Sequence, residues 1–148
     1  MVKLVEDKKL NKKLNISEIK NKCQSIFEKA KLVYLFGSYA KGTNTDLSDL
    51  DLAFLFRDTK IDQNSTEIRL DLIHSLKVIL NRDVDVIILN KATPLLKFEA
   101  INGICLYEKS TRDRILFEFV TINEYLDTKF LRKIQSHYLF ERISEYNV

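Results

Sequence analysis

Two short apolar stretches with strand character, Leu32–Phe36 and residues 49–56, flank a single polar loop. The loop, residues 37–48, contains Gly37 and Gly42, two of the only three glycines in the chain. Glycine is needed where the backbone takes a positive φ or approaches a ligand closely. Connections of about 12 residues are usually functional in a compact domain. The sequence therefore predicts a functional site carried by two neighbouring strands and the loop between them.

The rest of the chain alternates between helical and strand patterns. Ser17 is the predicted N-cap of a first helix that runs to about residue 30. Thr93 and Pro94 open a later helix as cap and first helical residue, and Gly103 follows its end. Also predicted are a helix from residue 64 or 65 to 80, strands at 84–89 and 104–107, and two helices between 110 and 146. This order predicts an α/β (α+β) fold, a small mixed β-sheet flanked by helices, with C-terminal helices.

The length of 148 residues predicts a single domain, 1–148. Within it, residues 1–15 are expected to be an N-terminal extension, residues 32–107 the core that holds the site, and residues 110–146 the C-terminal helices. No apolar run approaches the roughly 20 residues that cross a bilayer. The N-terminus lacks the apolar segment of a secretory signal. We therefore expect a cytoplasmic protein without membrane contact.

Charge and metal-ligand content argue against several functions. The 24 Lys and Arg residues exceed the 21 Asp and Glu residues by a net charge of only +3, so stable nucleic-acid binding is not expected. Cys23 and Cys105 lie far apart, and both histidines are isolated. Zinc, haem and iron–sulfur chemistry are therefore not predicted.

Two carboxylates begin the second strand. Asp49 and Asp51 are two residues apart, so on a strand they share a face, whereas Leu50 and Leu52 point into the core. Paired carboxylates repel each other unless a cation lies between them, and hard oxygen ligands of this kind suit Mg²⁺. A solvated strand end with two ordinary acids is the alternative interpretation of this spacing.

Gly37 and Ser38 leave the first strand at the point where a helical turn is predicted, around residues 39–41. Backbone N–H groups in such a turn, together with a serine hydroxyl, can bind phosphate. Taken alone, the pair also fits a plain turn. Combined with the carboxylates it forms the pattern Gly-Ser-x10-Asp-x-Asp, in which both halves lie beside predicted strands. The combination indicates a site for a phosphorylated substrate.

A third acid is expected from the strand at residues 84–89. Asp83 and Asp85 share a face there, and Asp85 stands between apolar residues while Asp83 follows Arg82 in a turn. An acid within such a strand is costly to bury without a partner. Asp85 is therefore preferred over Asp83 as the third carboxylate. The alternative is that Asp85 merely pairs with a nearby lysine or arginine.

The segment LFGSYAKGTNTDLSDLDL, residues 35–52, resembles the signature of the DNA polymerase β-like nucleotidyltransferase superfamily. Within it, the chain is most similar to the minimal nucleotidyltransferases of the MntA antitoxin type. The resemblance covers roughly residues 32–107, and residues 124–127 also look like that group. Gly37, Ser38, Asp49, Asp51 and Asp85 are all present, so the resemblance implies a competent enzyme.

The resemblance also implies a mechanism. Asp49 and Asp51 are expected to hold two Mg²⁺ ions that bridge the triphosphate of a nucleotide, and Asp85 to ligate the metal nearest the acceptor hydroxyl and help to deprotonate it. The α-phosphate is attacked in line and pyrophosphate leaves. Gly37 and Ser38 are expected to grip the β- and γ-phosphates, with Lys41 a further candidate contact or an ordinary surface lysine.

The acceptor is inferred from size and aromatic content. Larger relatives that modify antibiotics or RNA carry a further domain for the acceptor, whereas here only about 40 residues follow the last strand. Those residues are rich in aromatic side chains, which favours a protein interface. The resemblance implies that the partner is a HEPN-domain RNase toxin and that AMP passes from ATP to one of its tyrosines. The alternatives are a nucleotidyltransferase for a small molecule such as an aminoglycoside, and a steric inhibitor without essential catalysis. The C-terminal helices could also join two copies of the chain.

Overall fold

The structure, a computed structural model, describes residues 15–45, 48–57 and 61–146. In chain order the described elements are α1 (Ile16–Phe27), β1 (Leu32–Phe36), α2 (Gly37–Lys41), β2 (Leu50–Leu55), α3 (Ile61–Leu80), β3 (Val84–Ile88), a 3₁₀ turn (Leu89–Lys91), α4 (Pro94–Ile101), β4 (Ile104–Glu108) and α5 (Thr111–Tyr146). The predicted N-terminal extension lies outside the described residues apart from Asn15, and the predicted domain boundaries stay a prediction.

The four strands form one mixed sheet in the order β3-β2-β1-β4. β1 is antiparallel to both β2 and β4, whereas β2 and β3 are parallel and are joined by the crossover helix α3. The antiparallel pairing of β1 and β2 brings the end of β1 beside the start of β2. The fold class predicted from the sequence is confirmed, with helices on both faces of a small mixed sheet.

Alternation along the strands divides the core into two layers. Leu50, Leu52 and Phe54 are fully buried in one layer, which α1 and α3 cover. The opposite face holds Leu32, Tyr34, Ala53 and, from α4, Ala100. Tyr34 also donates a 2.8 Å hydrogen bond to Glu118, which ties α5 to this face.

Two helix starts differ from the sequence prediction. Asn15, not Ser17, caps α1, because its side chain accepts a hydrogen bond from Glu18 N–H and this start lets Ile16 pack against the core. α3 begins at Ile61 rather than at residue 64 or 65, with a non-helical Asn64 marking a kink near the predicted start. Thr93 caps α4 with Pro94 in its first turn, as predicted. Strand ends differ by a residue or so: β2 covers Leu50–Leu55, β3 Val84–Ile88 and β4 Ile104–Glu108.

Gly103 follows α4 at the predicted position, but not because it needs a left-handed backbone. Its φ is not positive. A Cβ at this position would instead lie 2.1 Å from the Leu35 carbonyl oxygen of β1. Glycine is therefore required there by a close approach between two backbones.

The prediction of two C-terminal helices is wrong. Residues 111–146 form the single helix α5, 36 residues long. The segment contains neither proline nor glycine, so no residue in it forces the helix to end. Its first half packs on α4 and the sheet. Within the described residues, no helix is long and apolar enough to cross a membrane.

Candidate active site

Asp49 and Asp51 lie at the start of β2. Asp49 directly precedes the strand and is exposed, and Asp51 is its second residue and half-buried. Leu50 and Leu52 are fully buried, as the alternation predicts. The two acids therefore stand at the open end of the sheet, with the leucines between and after them anchored in the core.

Asp85 joins them from β3. In the parallel register of β2 and β3, Asp51 is paired directly with Asp85. Burial raises the pKa of the Asp51 carboxyl, and the negative charges of Asp85 and then Asp49 raise it further. The three carboxylates predicted from the sequence are thus close enough to influence one another electrostatically.

The structure also separates Asp85 from Asp83. Asp83 precedes β3, is largely exposed, and forms an ion pair with Lys77 of α3 at 3.2 Å. Asp85 lies within β3 and forms an ion pair with Arg69 at 3.0 Å. Asp85 is therefore in register with Asp51 and also has an arginine partner, and its role as the third carboxylate of the site stays a prediction.

Gly37 brings the first turn of α2 against Asp51. Its φ is +74°, and a Cβ built on it would lie 2.2 Å from Asp51 Oδ2. Only a residue without a side chain fits here. Ser38 follows in the first turn of α2, whose N-cap, Phe36, makes no side-chain cap hydrogen bond. Backbone N–H groups of a first helical turn have no partner within the helix, so they are available for an anionic ligand.

Lys41 ends α2 and is exposed. Gly42 follows in the left-handed conformation and donates its N–H to the Ser38 carbonyl. Beyond it, Thr45 N–H donates to Ser48 Oγ at 2.8 Å.

An open cleft of about 230 Å³ borders the Asp85 side of the site. α3, β3, the 3₁₀ turn and α4 form its walls, with lining residues that include Ser65, Thr66, Arg69, Ile87, Lys91 and Leu96. Asp85 and Ile87 are two residues apart on β3 and so share a face of the sheet. Sequence reasoning missed Arg69, for which the only signal was the general need of a strand acid for a cationic partner.

As the side chains stand in the described part of the chain, no group of three or more acidic, histidine or cysteine side chains forms a ready-made metal site. The donor set nevertheless fits a hard divalent cation, because Asp51 is half-buried beside two further carboxylates. A cation bound among these acids would oppose the effects of burial and of carboxylate repulsion, which together raise the pKa of Asp51.

Comparison with known proteins agrees with this geometry. Residues 6–112 match the family described as polymerase beta, nucleotidyltransferase. The protein adenylyltransferase MntA of Shewanella oneidensis is 33% identical over 112 residues, which are 76% of this chain and 78% of that protein.

Two solved structures share the fold. One, a toxin–antitoxin with AMP-PNP, has a chain with a TM-score of 0.72 and 30% identity, covering 86% of this chain and 99% of that one. The other contains a tri-AMPylated Shewanella oneidensis HEPN toxin in complex with an MNT antitoxin, and matches with a TM-score of 0.69 and 26% identity over 85% and 99% of the two chains. With a family match over most of its length and the acids of the motif at one end of its sheet, this chain belongs to the polymerase beta nucleotidyltransferase family.

Proposed function

We propose that this protein transfers AMP from ATP to a tyrosine hydroxyl of a HEPN-domain RNase toxin, and so acts as the antitoxin of that toxin in the cytoplasm. The observation that carries the proposal is the register pairing of Asp51 with Asp85, with Gly37 against Asp51. The proposal is also supported by similarity to a protein named a protein adenylyltransferase and to solved structures of toxin–antitoxin complexes.

Asp49, Asp51 and Asp85 are the residues that would hold Mg²⁺, and we propose two ions. When bound, Mg²⁺ would neutralise the triphosphate and the charge that develops at the α-phosphate. Gly37 allows the backbone of α2 to approach this place, and the N–H groups and hydroxyl around Ser38 are suited to the β- and γ-phosphates. Lys41 remains a candidate phosphate contact on the same short helix.

Asp85 is proposed to act on the acceptor side. It stands at the edge of the sheet beside the open cleft, whereas Asp49 and Asp51 lie nearer the loop that would bind phosphate. A carboxylate here can accept the proton of an acceptor hydroxyl. Transfer forms a bond between the acceptor oxygen and the α-phosphorus and breaks the bond to the leaving pyrophosphate.

The outer face of α5 is the proposed surface for the toxin. Five large apolar side chains on it are exposed and recur at spacings of four and three residues, which is the pattern of a helix-packing seam: Ile115, Phe119, Ile122, Leu126 and Phe130. We call this set the α5 stripe. Exposed apolar stripes of this length mark interaction sites. A helical toxin domain offers the matching kind of surface, and a second copy of this chain is the alternative occupant.

Intact-mass spectrometry of the HEPN protein tests the proposal. After incubation with this chain, ATP and Mg²⁺, the HEPN protein should gain the mass of one or more AMP groups and lose RNase activity. Both changes should be absent with the Asp49→Ala, Asp51→Ala double variant. The Asp83→Ala variant is the matched control, because Asp83 is a neighbouring acid outside the paired register.

A steric inhibitor is the second candidate, and the exposed α5 stripe favours it. The Asp49→Ala, Asp51→Ala double variant separates the two functions. If this variant inhibits the RNase activity of the HEPN protein as strongly as the wild type does, inhibition is steric. An aminoglycoside-type enzyme would instead transfer AMP to the small molecule and leave the HEPN protein unmodified.

A further inference from the structure

Arg69 of α3 fastens that helix to β3 through two hydrogen bonds. Its Nε donates to the carbonyl oxygen of Val86 at 2.6 Å, and its Nη2 donates to Oδ1 of Asp85 at 3.0 Å. β3 is an edge strand of the sheet, so the Val86 carbonyl is available for a partner outside the sheet. Two nitrogens of one planar guanidinium are thus engaged by consecutive residues, which fixes its plane.

The same contacts fix the carboxylate of Asp85. Oδ1 accepts from Arg69 and also, at 2.9 Å, from the backbone N–H of Val86. Both described hydrogen bonds of this carboxylate therefore end on one oxygen. A carboxylate oxygen accepts two such bonds readily, and Oδ2 keeps its lone pairs for another ligand.

The charges around Asp85 explain why this carboxylate has an arginine partner. Asp85 is paired in register with Asp51, and the two acids repel each other. The side chain of Asp85 is also about half exposed, so without a partner it would turn away from Asp51 into solvent. The positive charge and the fork geometry of Arg69 oppose that rotation.

We propose that Arg69 is a positioning residue that holds Oδ1 of Asp85 and thereby presents Oδ2 to the reaction centre. The inference rests on the proposed function, in which Asp85 acts on the acceptor side. The ion pair between Arg69 and Asp85 is then not an alternative to a role of Asp85 at the site, because the pair orients the carboxylate within the site.

Kinetics of three variants test the proposal. Arg69→Met should lower kcat for transfer to the HEPN protein about 10- to 100-fold, the usual effect of losing a residue that orients a ligand. The affinity for ATP should change little. Arg69→Lys should recover part of kcat, because it keeps the charge and one donor. Lys77→Met is the matched control, because Lys77 also lies on α3 and pairs with the neighbouring acid Asp83.

Mn²⁺ affinity, measured by titration in the presence of a non-hydrolysable ATP analogue, gives a readout that does not depend on turnover. Arg69→Met should weaken Mn²⁺ binding, and should add nothing in an Asp85→Asn background, because the two residues act through one contact. A wild type that binds Mn²⁺ but modifies no HEPN protein would reject the proposed function without touching this inference. Wild-type kcat and Mn²⁺ affinity in a folded Arg69→Met or Arg69→Lys variant would overturn the inference itself.

Discussion

Asp51 is ionised at an electrostatic cost in the absence of a cation. Burial, Asp85 and Asp49 together raise its pKa above the ordinary 3.8, so the charged form is less favourable in the folded chain than in the unfolded one. That cost is fully present at a pH above the folded-state pKa. It fades as the pH falls through the folded-state pKa towards the ordinary value.

The first prediction follows from the raised pKa of Asp51, which makes its ionised form destabilising at neutral pH. Asp51→Asn should raise the melting temperature at neutral pH in EDTA and abolish AMP transfer, and the gain in melting temperature should shrink at acid pH. Thermal unfolding across about pH 4 to 8 measures it. Asp83→Asn, at an exposed acid paired with Lys77, should neither gain stability in this way nor lose activity. Wild-type transfer by a folded Asp51→Asn variant would contradict the assignment of Asp51.

Gly37 and Gly42 have almost the same φ angle, but the space beside their Cα atoms differs. Their φ angles are +74° and +72°, but a Cβ at Gly37 meets Asp51 Oδ2 at 2.2 Å, whereas a Cβ at Gly42 has nothing within 4 Å. Gly42→Ala should therefore cost only the left-handed conformation, about 1 kcal/mol of unfolding free energy. Gly37→Ala should cost more and should also displace Asp51, so transfer should be lost. Denaturant unfolding and a transfer assay measure both effects, and equal behaviour of the two variants would contradict the proposed contact.

At this scale the sequence predicted residue types better than residue contacts. The spacing of Asp49 and Asp51 and the placement of Gly37 after a strand are local properties, and strand alternation converts them into a shared face. The contact between Asp85 and Arg69 joins two elements that are separated along the chain. No local spacing encodes such a contact, which is why Arg69 could not be named from the sequence.

The register of β3 is a property of the element, and it determines which acid is paired with Asp51. β3 starts at Val84, so Asp85 lies inside the ladder opposite Asp51 and Asp83 lies outside it. Asp85→Ala should therefore reduce turnover much more than ATP binding, and Asp83→Ala should change neither. Steady-state kinetics with titration of an ATP analogue measure the difference. The opposite behaviour of the two variants would mean that the ladder is shifted by two residues.

Element ends show where local signals compete. Asn15 and Ser17 are both good cap residues, and the choice between them depends on Ile16 reaching the core, which is a tertiary contact. The length of α5 shows the opposite case. Two helices were predicted between residues 110 and 146, but without proline or glycine the backbone continues as one helix.

The whole molecule is asymmetric in how its helices are covered. α1, α3 and α4 bury apolar faces against the sheet, whereas α5 leaves the α5 stripe and most of its last turns exposed. The fold could be predicted because the sheet and its helices bury their own surface within the chain. What covers α5 could not be predicted from burial within the chain, because no described element of the chain covers the stripe.

The α5 stripe provides the last prediction. Phe119→Asp combined with Leu126→Asp should weaken binding to the HEPN protein by at least about tenfold. The few anchor residues that dominate an interface each cost about 2 kcal/mol or more when they are removed. Both side chains are exposed in the chain alone, so the double variant should keep the fold and its affinity for an ATP analogue. AMP transfer should fall together with binding. Isothermal titration with the HEPN protein and with the analogue separates these effects.

Leu131→Asp is the matched control for the stripe. Leu131 is 57% exposed and Leu126 56%, but five residues place them about 140° apart around the helix. Leu131→Asp should leave binding unchanged if the toxin lies on the stripe, and loss of binding with Leu131→Asp alone would move the interface to the other face. Sedimentation of the chain by itself tests the remaining occupant. A dimer that the double variant dissociates, with unchanged HEPN binding, would assign the stripe to a second copy of the chain.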